Sequence, residues 1–118
     1  MKIGQAFTFE AAHRLPNVSP SHRCYRLHGH SYRVELTLDG LLDQATGFVV
    51  DFFEIERAFA PLLARLDHSC LNDIEGLENP TAENIAIWIW KGTKPLLADL
   101  RIVVVYETPN SWAEYEGH

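Results

Sequence analysis

The sequence predicts an α+β fold: an antiparallel sheet with two helices on one face. Three observations carry this. Residues 31–39 alternate strictly between apolar and polar, two stretches in the middle have apolar residues at helical spacing, and β-rich runs lie at both ends. The resulting order, β-β-α-α-β-β, groups strands with strands and helices with helices, which is the layered α+β pattern.

The first strand is expected over residues 3–9 (IGQAFTF), where strong β-formers alternate in part. In residues 31–39 (SYRVELTLD), Tyr32, Val34, Leu36 and Leu38 share one face, and Arg33, Glu35, Thr37 and Asp39 the other. Period 2 with one polar face describes a half-exposed antiparallel strand. About 20 residues containing Pro16, Ser19, Pro20 and Ser21 separate the two strands, a length that usually marks a functional connection.

Asp39-Gly40 and Thr46-Gly47 mark turns. Asp51 stands at an N-cap position with Glu54 three residues on, and Phe52, Ile55, Phe59, Leu62, Leu63 and Leu66 follow at helical spacing. Pro61 is a candidate kink or break. A second helix is expected from Ala82 to Leu97, capped by Thr81, with Ile85, Trp88, Ile89 and Leu96 as its apolar face. Gly92 and Pro95 blur its end. Residues 101–108 (RIVVVYET) form a third strand, and 112–116 a short fourth one beside it. The expected sheet therefore has four strands.

One domain spanning 1–118 is all the length allows. Apolar residues make up 47% and charged residues 22%, so the chain can bury a core and is not a disordered segment. A chain this short still leaves much surface uncovered, which suits oligomerisation. Two cysteines are too few for a disulfide scaffold, no basic segment with an apolar run opens the chain, and no stretch approaches the roughly 18 apolar residues of a membrane span. A soluble, cytoplasmic protein without a membrane partner is expected.

The net charge of −6 argues against a nucleic-acid partner. It hides an asymmetry. Residues 11–34 hold Arg14, Arg23, Arg26 and Arg33 with no Asp or Glu, whereas the other 94 residues hold 6 basic and 16 acidic side chains. The same window contains His13, His22, His28 and His30. A basic, His-rich patch on an acidic protein points to a small anionic ligand beside a metal.

His28-Gly29-His30 leads into the second strand, where residues i and i+2 point to one face. Gly29 between them would let backbone approach. If the first two strands pair as a hairpin, His13 falls beside both histidines. Three His ligands with an open fourth position make a catalytic zinc arrangement. Imidazoles also suit Fe, Cu and Ni. Cys24, four residues before His28, is a base or nucleophile if cations lower its thiol pKa, or else a small buried hydrophobe. Cys70 takes the second description. Asp67-His68 is either a carboxylate orienting a basic His or a solvated helix end. Glu107 ends the VVVYE run as a surface carboxylate or as an acceptor for an amidine-like edge. Thr81 and Glu83 read as helix cap and first-turn acid.

Six stretches carry a resemblance: FTFEAAHRLP (7–16), CYRLHGHSYRVEL (24–36), TGFVVDFFEI (46–55), LDHSCLND (66–73), NPTAENIAIWIW (79–90) and VYET (105–108). Together they resemble the 6-pyruvoyl-tetrahydropterin synthase family, and within it the bacterial 6-carboxy-5,6,7,8-tetrahydropterin synthases of queuosine biosynthesis. The compact C-x-x-x-H-G-H spacing of Cys24, His28 and His30 is similar to the 6-carboxy enzymes, where animal-type enzymes carry a longer insertion.

The resemblance implies the tunnelling fold (T-fold), with subunits forming trimers that stack into a homo-hexamer and active sites between subunits. It implies zinc on His13, His28 and His30, and Cys24 as general base. His68, with Asp67, assists proton transfer, and Glu107 anchors the pterin ring. The implied activity is a lyase converting 7,8-dihydroneopterin triphosphate to 6-carboxytetrahydropterin, acetaldehyde and triphosphate, without nicotinamide or flavin. Arg14, Arg23 and Arg26 are candidates for the triphosphate on charge alone, and Thr81 for substrate binding. A pyruvoyl-type synthase, which keeps the carbon side chain, and a non-catalytic metal- or pterin-binding module are the alternatives.

Overall fold

The computed structural model describes residues 1–118. Its elements are β1 (Lys2–His13), β2 (His28–Asp39), α1 (Phe52–Leu66), β3 (Ser69–Cys70), α2 (Ala82–Thr93), β4 (Leu100–Thr108) and β5 (Ser111–Tyr115), with 3-10 turns at Arg23–Tyr25 and Leu71–Asp73. The sheet order is β3-β1-β2-β4-β5. All neighbours are antiparallel except β3, which runs parallel to β1 and pairs Ser69 with Ala11 and Cys70 with Ala12. The sheet thus has five strands, one more than the sequence predicts. A two-residue strand has no periodicity to read. Only its docking on the edge of β1 defines it.

β1 and β2 extend further toward each other than their apolar patterns suggest. The ladder runs from Lys2 opposite Asp39 to His13 opposite His28, so β1 gains Lys2 and Glu10 to His13, and β2 gains His28 to His30. Polar residues at these ends break the alternation but still make ladder hydrogen bonds. Along β2, Tyr32, Val34, Leu36 and Leu38 are all buried, as the alternation predicts. Phe9, Val103 and Val105 join them from β1 and β4 on the helix-covered face. The alternate residues Gly4, Ala6, Thr8, Glu10, Ser31 and Arg33 remain exposed on the other face.

Asp51 caps α1 as expected, its Oδ1 accepting from the Phe53 N–H at 3.0 Å. Glu54 does not close a capping box; it pairs with Arg57 instead, at 2.8 Å. The helix runs through Pro61 unbroken. The apolar face built by Ile55, Ala58, Phe59 and Leu66 anchors it on both sides of the proline. Phe52, expected on that face, is exposed at the first helical position. Thr81 caps α2 through Oγ1, which accepts from the Asn84 N–H at 3.1 Å. That helix ends at Thr93 rather than Leu97, because Pro95 has no N–H to continue it. Leu97, not Leu96, then turns into the core. No helix is long and apolar enough to cross a membrane.

Candidate metal and pterin site

The ladder register builds the site. In an antiparallel pair, residues directly opposite share a face. His13 lies opposite His28, and Ala11 opposite His30, so the three imidazoles gather on the helix-covered face at one end of the sheet. One ligand atom from each lies within 4.8 Å of the other two. They continue the row of Phe9 and Tyr32, which stack with ring centroids 4.8 Å apart. His13 is fully buried.

Hydrogen bonds orient the rings. His13 Nδ1–H donates to the Pro80 carbonyl at 2.8 Å, and His28 Nδ1–H to the Arg26 carbonyl at 2.6 Å. With Nδ1 protonated, each ring in its neutral form presents a lone pair at Nε2. Those two Nε2 atoms stand 3.0 Å apart, and neither can donate to the other. His30 Nε2 is buried without a hydrogen-bond partner; Glu107 Oε1 lies 3.4 Å from it. Converging lone pairs and a nearby carboxylate repel one another unless a cation or proton sits among them. The donor set, three imidazoles with an adjacent carboxylate, fits a divalent transition metal, and the Nδ1–H contacts are the usual support of metal-bound histidine.

Burial lowers the pKa of His13 and of His30 below 6.5, against the opposing pull of Glu107. Desolvation also raises the Tyr32 phenol, with Glu107 adding to it. The phenol oxygen lies 3.2 Å from His13 Nδ1, whose proton points to the Pro80 carbonyl. The lowered imidazole values give a sign. Below pH 6.5 the unfolded chain binds protons that the folded, metal-free chain resists, so folded stability is greatest above pH 6.5 and falls as the pH drops. Thermal melts of the metal-free protein should therefore show a lower Tm at pH 5.5 than at pH 7.5. A flat profile over that window would contradict the buried neutral imidazoles.

The remaining predicted residues are spread around this cluster. Cys24 is half-buried on the 3-10 turn, outside the three-histidine group. Its N–H donates to His22 Nδ1 at 3.0 Å, and its carbonyl accepts from the Leu15 N–H at 2.9 Å. Arg14 packs over the Tyr25 ring, 4.8 Å from its centroid, and its Nε donates to the Tyr25 carbonyl at 3.3 Å. Its guanidinium thus braces the Cys24 turn, whereas Arg23 and Arg26 are exposed.

Asp67 and His68 follow α1 and grip the edge of β1. Asp67 Oδ1 accepts from the Glu10 N–H at 3.0 Å, and the His68 N–H donates to the Glu10 carbonyl at 2.6 Å. The Asp67 carboxyl is held below its ordinary value by the Glu10 N–H and by the His68 ring, whose Nδ1 is 3.0 Å away. His68 adopts φ 57°, the only non-glycine in the left-handed region, and its side chain is exposed. His68 and His30 line one open cleft of about 510 Å³, with Glu10 and Ser31. Glu107 lines another, of about 430 Å³, with Ser111 and Trp112.

Sequence reasoning missed several supporting groups: the Pro80 and Arg26 carbonyls, the Tyr32 phenol and the Asn72 carboxamide. Backbone acceptors leave no mark in a sequence, and Tyr32 reads as a core residue of an alternating strand. The expectation for Gly29 changes too. A Cβ there would sit 3.5 Å from the Ala11 carbonyl, an ordinary contact, so no close approach demands glycine.

The family model described as 6-pyruvoyl tetrahydropterin synthase matches residues 2–118. The chain belongs to that family. A 6-carboxy-5,6,7,8-tetrahydropterin synthase of Synechocystis is 44% identical over 119 aligned residues, covering 96% of this chain and 91% of that one. A putative 6-carboxy-5,6,7,8-tetrahydropterin synthase of Archaeoglobus fulgidus is 36% identical, covering 97% of this chain and 94% of that one. Among solved structures, the 6-pyruvoyl tetrahydropterin synthase of Caenorhabditis elegans superposes with a TM-score of 0.92 at 28% identity, covering 100% of this chain and 96% of that one. The sheet with two helices is thus the T-fold of this family, and the chain is an enzyme of the tetrahydropterin synthase kind.

Proposed function

We propose that the chain is a zinc-dependent carbon–carbon lyase. It would convert 7,8-dihydroneopterin triphosphate and one water to 6-carboxy-5,6,7,8-tetrahydropterin, acetaldehyde and triphosphate, in the cytoplasm, on the route to queuosine. The observation that carries this reading is the three-imidazole cluster with Glu107 beside it, in a chain 44% identical to a relative named a 6-carboxy synthase.

Bound at His13, His28 and His30, zinc would supply Lewis-acid polarisation of the substrate's side-chain oxygens. The chain's own residues would do the rest. Glu107, fixed at the end of β4, accepts from the 2-amino and ring N–H groups of the pterin in a two-point contact. That contact sets the ring and so sets which side-chain carbon meets the base. Cys24, as thiolate, removes a side-chain proton; His68, oriented by Asp67, returns or relays it. Arg23 and Arg26, exposed and free of internal partners, would meet the triphosphate, while Arg14 braces the turn between them. Thr81 contributes through the α2 cap, beside the Pro80 carbonyl that orients His13.

His68 and Glu107 line separate open clefts, and Cys24, on its own turn, lines neither. Completion of each site by a second copy of the chain would bring these separate groups together, in keeping with a homo-hexamer with shared sites. The test is product analysis from 7,8-dihydroneopterin triphosphate with zinc-loaded protein. Acetaldehyde and 6-carboxytetrahydropterin are expected. Triphosphate release with the carbon side chain retained would reassign the chain as a pyruvoyl-type synthase, and unchanged substrate would leave only a binding module.

A further inference from the structure

β1 ends at His13, and the chain beyond it has no strand partner for its backbone. Asn72, in the turn that follows β3, takes that place. Its Oδ1 accepts from the Arg14 N–H at 2.9 Å, and its Nδ2 donates to the Arg14 carbonyl at 2.8 Å. The carboxamide thus imitates one residue of a strand, matching both the donor and the acceptor of Arg14. Its second N–H reaches the Glu78 carbonyl at 3.4 Å. Two residues later, Pro80 presents the carbonyl that receives His13 Nδ1–H.

On the other side, Arg14 and Leu15 hold the Cys24 turn by the two contacts described above, Arg14 Nε to the Tyr25 carbonyl and Leu15 N–H to the Cys24 carbonyl. One side chain therefore stands where three segments meet: the strand exit carrying His13, the loop that orients it, and the turn carrying Cys24. Only asparagine has the geometry. Aspartate lacks both donors, leucine lacks donor and acceptor, and glutamine is a methylene too long.

We propose that Asn72 is a positioning residue that fixes the orientation of the His13 ring and couples it to the Cys24 turn. The inference rests on the metal reading given above. Asn72 touches neither metal nor substrate; it acts through the Arg14 backbone and the 78–80 loop.

The test uses cobalt(II) as the probe metal on the full chain, with wild type, Asn72→Ala, Asn72→Asp and, as a control, Asp51→Ala. Asp51 caps α1 and makes no contact with the cluster, so its loss lowers Tm without touching the site. Asn72→Ala should bind cobalt 10–100-fold more weakly, as is usual for loss of an outer support, and shift the visible d–d absorption. Asn72→Asp, which keeps the acceptor but loses both donors, should change the spectrum in the same sense. Asp51→Ala should keep the wild-type spectrum and affinity. Wild-type affinity and spectrum in both Asn72 variants would overturn the proposal while leaving the metal reading intact. Failure of both to fold would make Asn72 a purely structural residue, which also overturns it. No cobalt binding by the wild type would overturn the metal reading and this inference together.

Discussion

Cys24→Ala is expected to cut turnover by about 10²–10⁴-fold, the usual contribution of a positioned proton-transfer group, while metal content stays at the wild-type level. The separation of these effects follows from how the turn is held. The Cys24 N–H and carbonyl make its two ties, to His22 Nδ1 and to the Leu15 N–H, and neither uses the thiol. Truncating the side chain at Cβ leaves both in place. The thiol is also outside the three-histidine group, so its removal takes no ligand from the metal. Cys24→Ser should lose nearly as much, because a hydroxyl of similar size is far harder to deprotonate than a thiol. Steady-state rates alongside metal analysis decide the matter. Turnover within a few-fold of wild type would remove Cys24 from the chemistry, and loss of metal with turnover would make it a ligand instead of a base.

The Cys24 turn also shows where sequence reading stops. The alternation in 31–39 foretells the buried row Tyr32, Val34, Leu36 and Leu38, because one side chain in two must leave water. Asp51 and Thr81 announce two helix starts, because a short oxygen-bearing side chain can satisfy an orphan N–H there. The hairpin register that brings His13 opposite His28 follows from the same pattern once the two strands pair. What holds the site in place is of a different kind. Arg14 is charged and lies in a basic window, which suggests an anion; its actual partners are a backbone carbonyl and an aromatic face. Both arise only after a 14-residue connection has folded back. β3, Asn72 and the left-handed His68 likewise depend on contacts across more than 50 residues of chain, and no local period or composition encodes such contacts.

His13 and His28 look equivalent as ligands, yet their substitutions should separate sharply. His13→Ala removes a fully buried ring, leaves the Pro80 carbonyl without its donor and opens a void beside Tyr32. An unmatched buried acceptor costs about 1–3 kcal/mol, and the void adds to it, so metal-free His13→Ala should lose about 2–4 kcal/mol of folding stability. His28 is only half-buried, and its Nε2 confronts the His13 Nε2 lone pair at 3.0 Å. Removing that ring relieves the repulsion, so metal-free His28→Ala should be as stable as wild type or slightly more so. With metal the order of effects changes. Each variant has lost one of three imidazoles, and each should lose metal affinity by well over the 10–100-fold typical of outer-shell changes. Urea unfolding of the metal-free proteins, paired with metal titration, reads both quantities. Equal destabilisation by the two substitutions would mean that the buried ring is not what braces the end of β1. Unchanged metal affinity in either variant would mean that the cluster is not the binding site. The histidines would then be polar residues closing one end of a core, and the strain between their lone pairs would have no functional return.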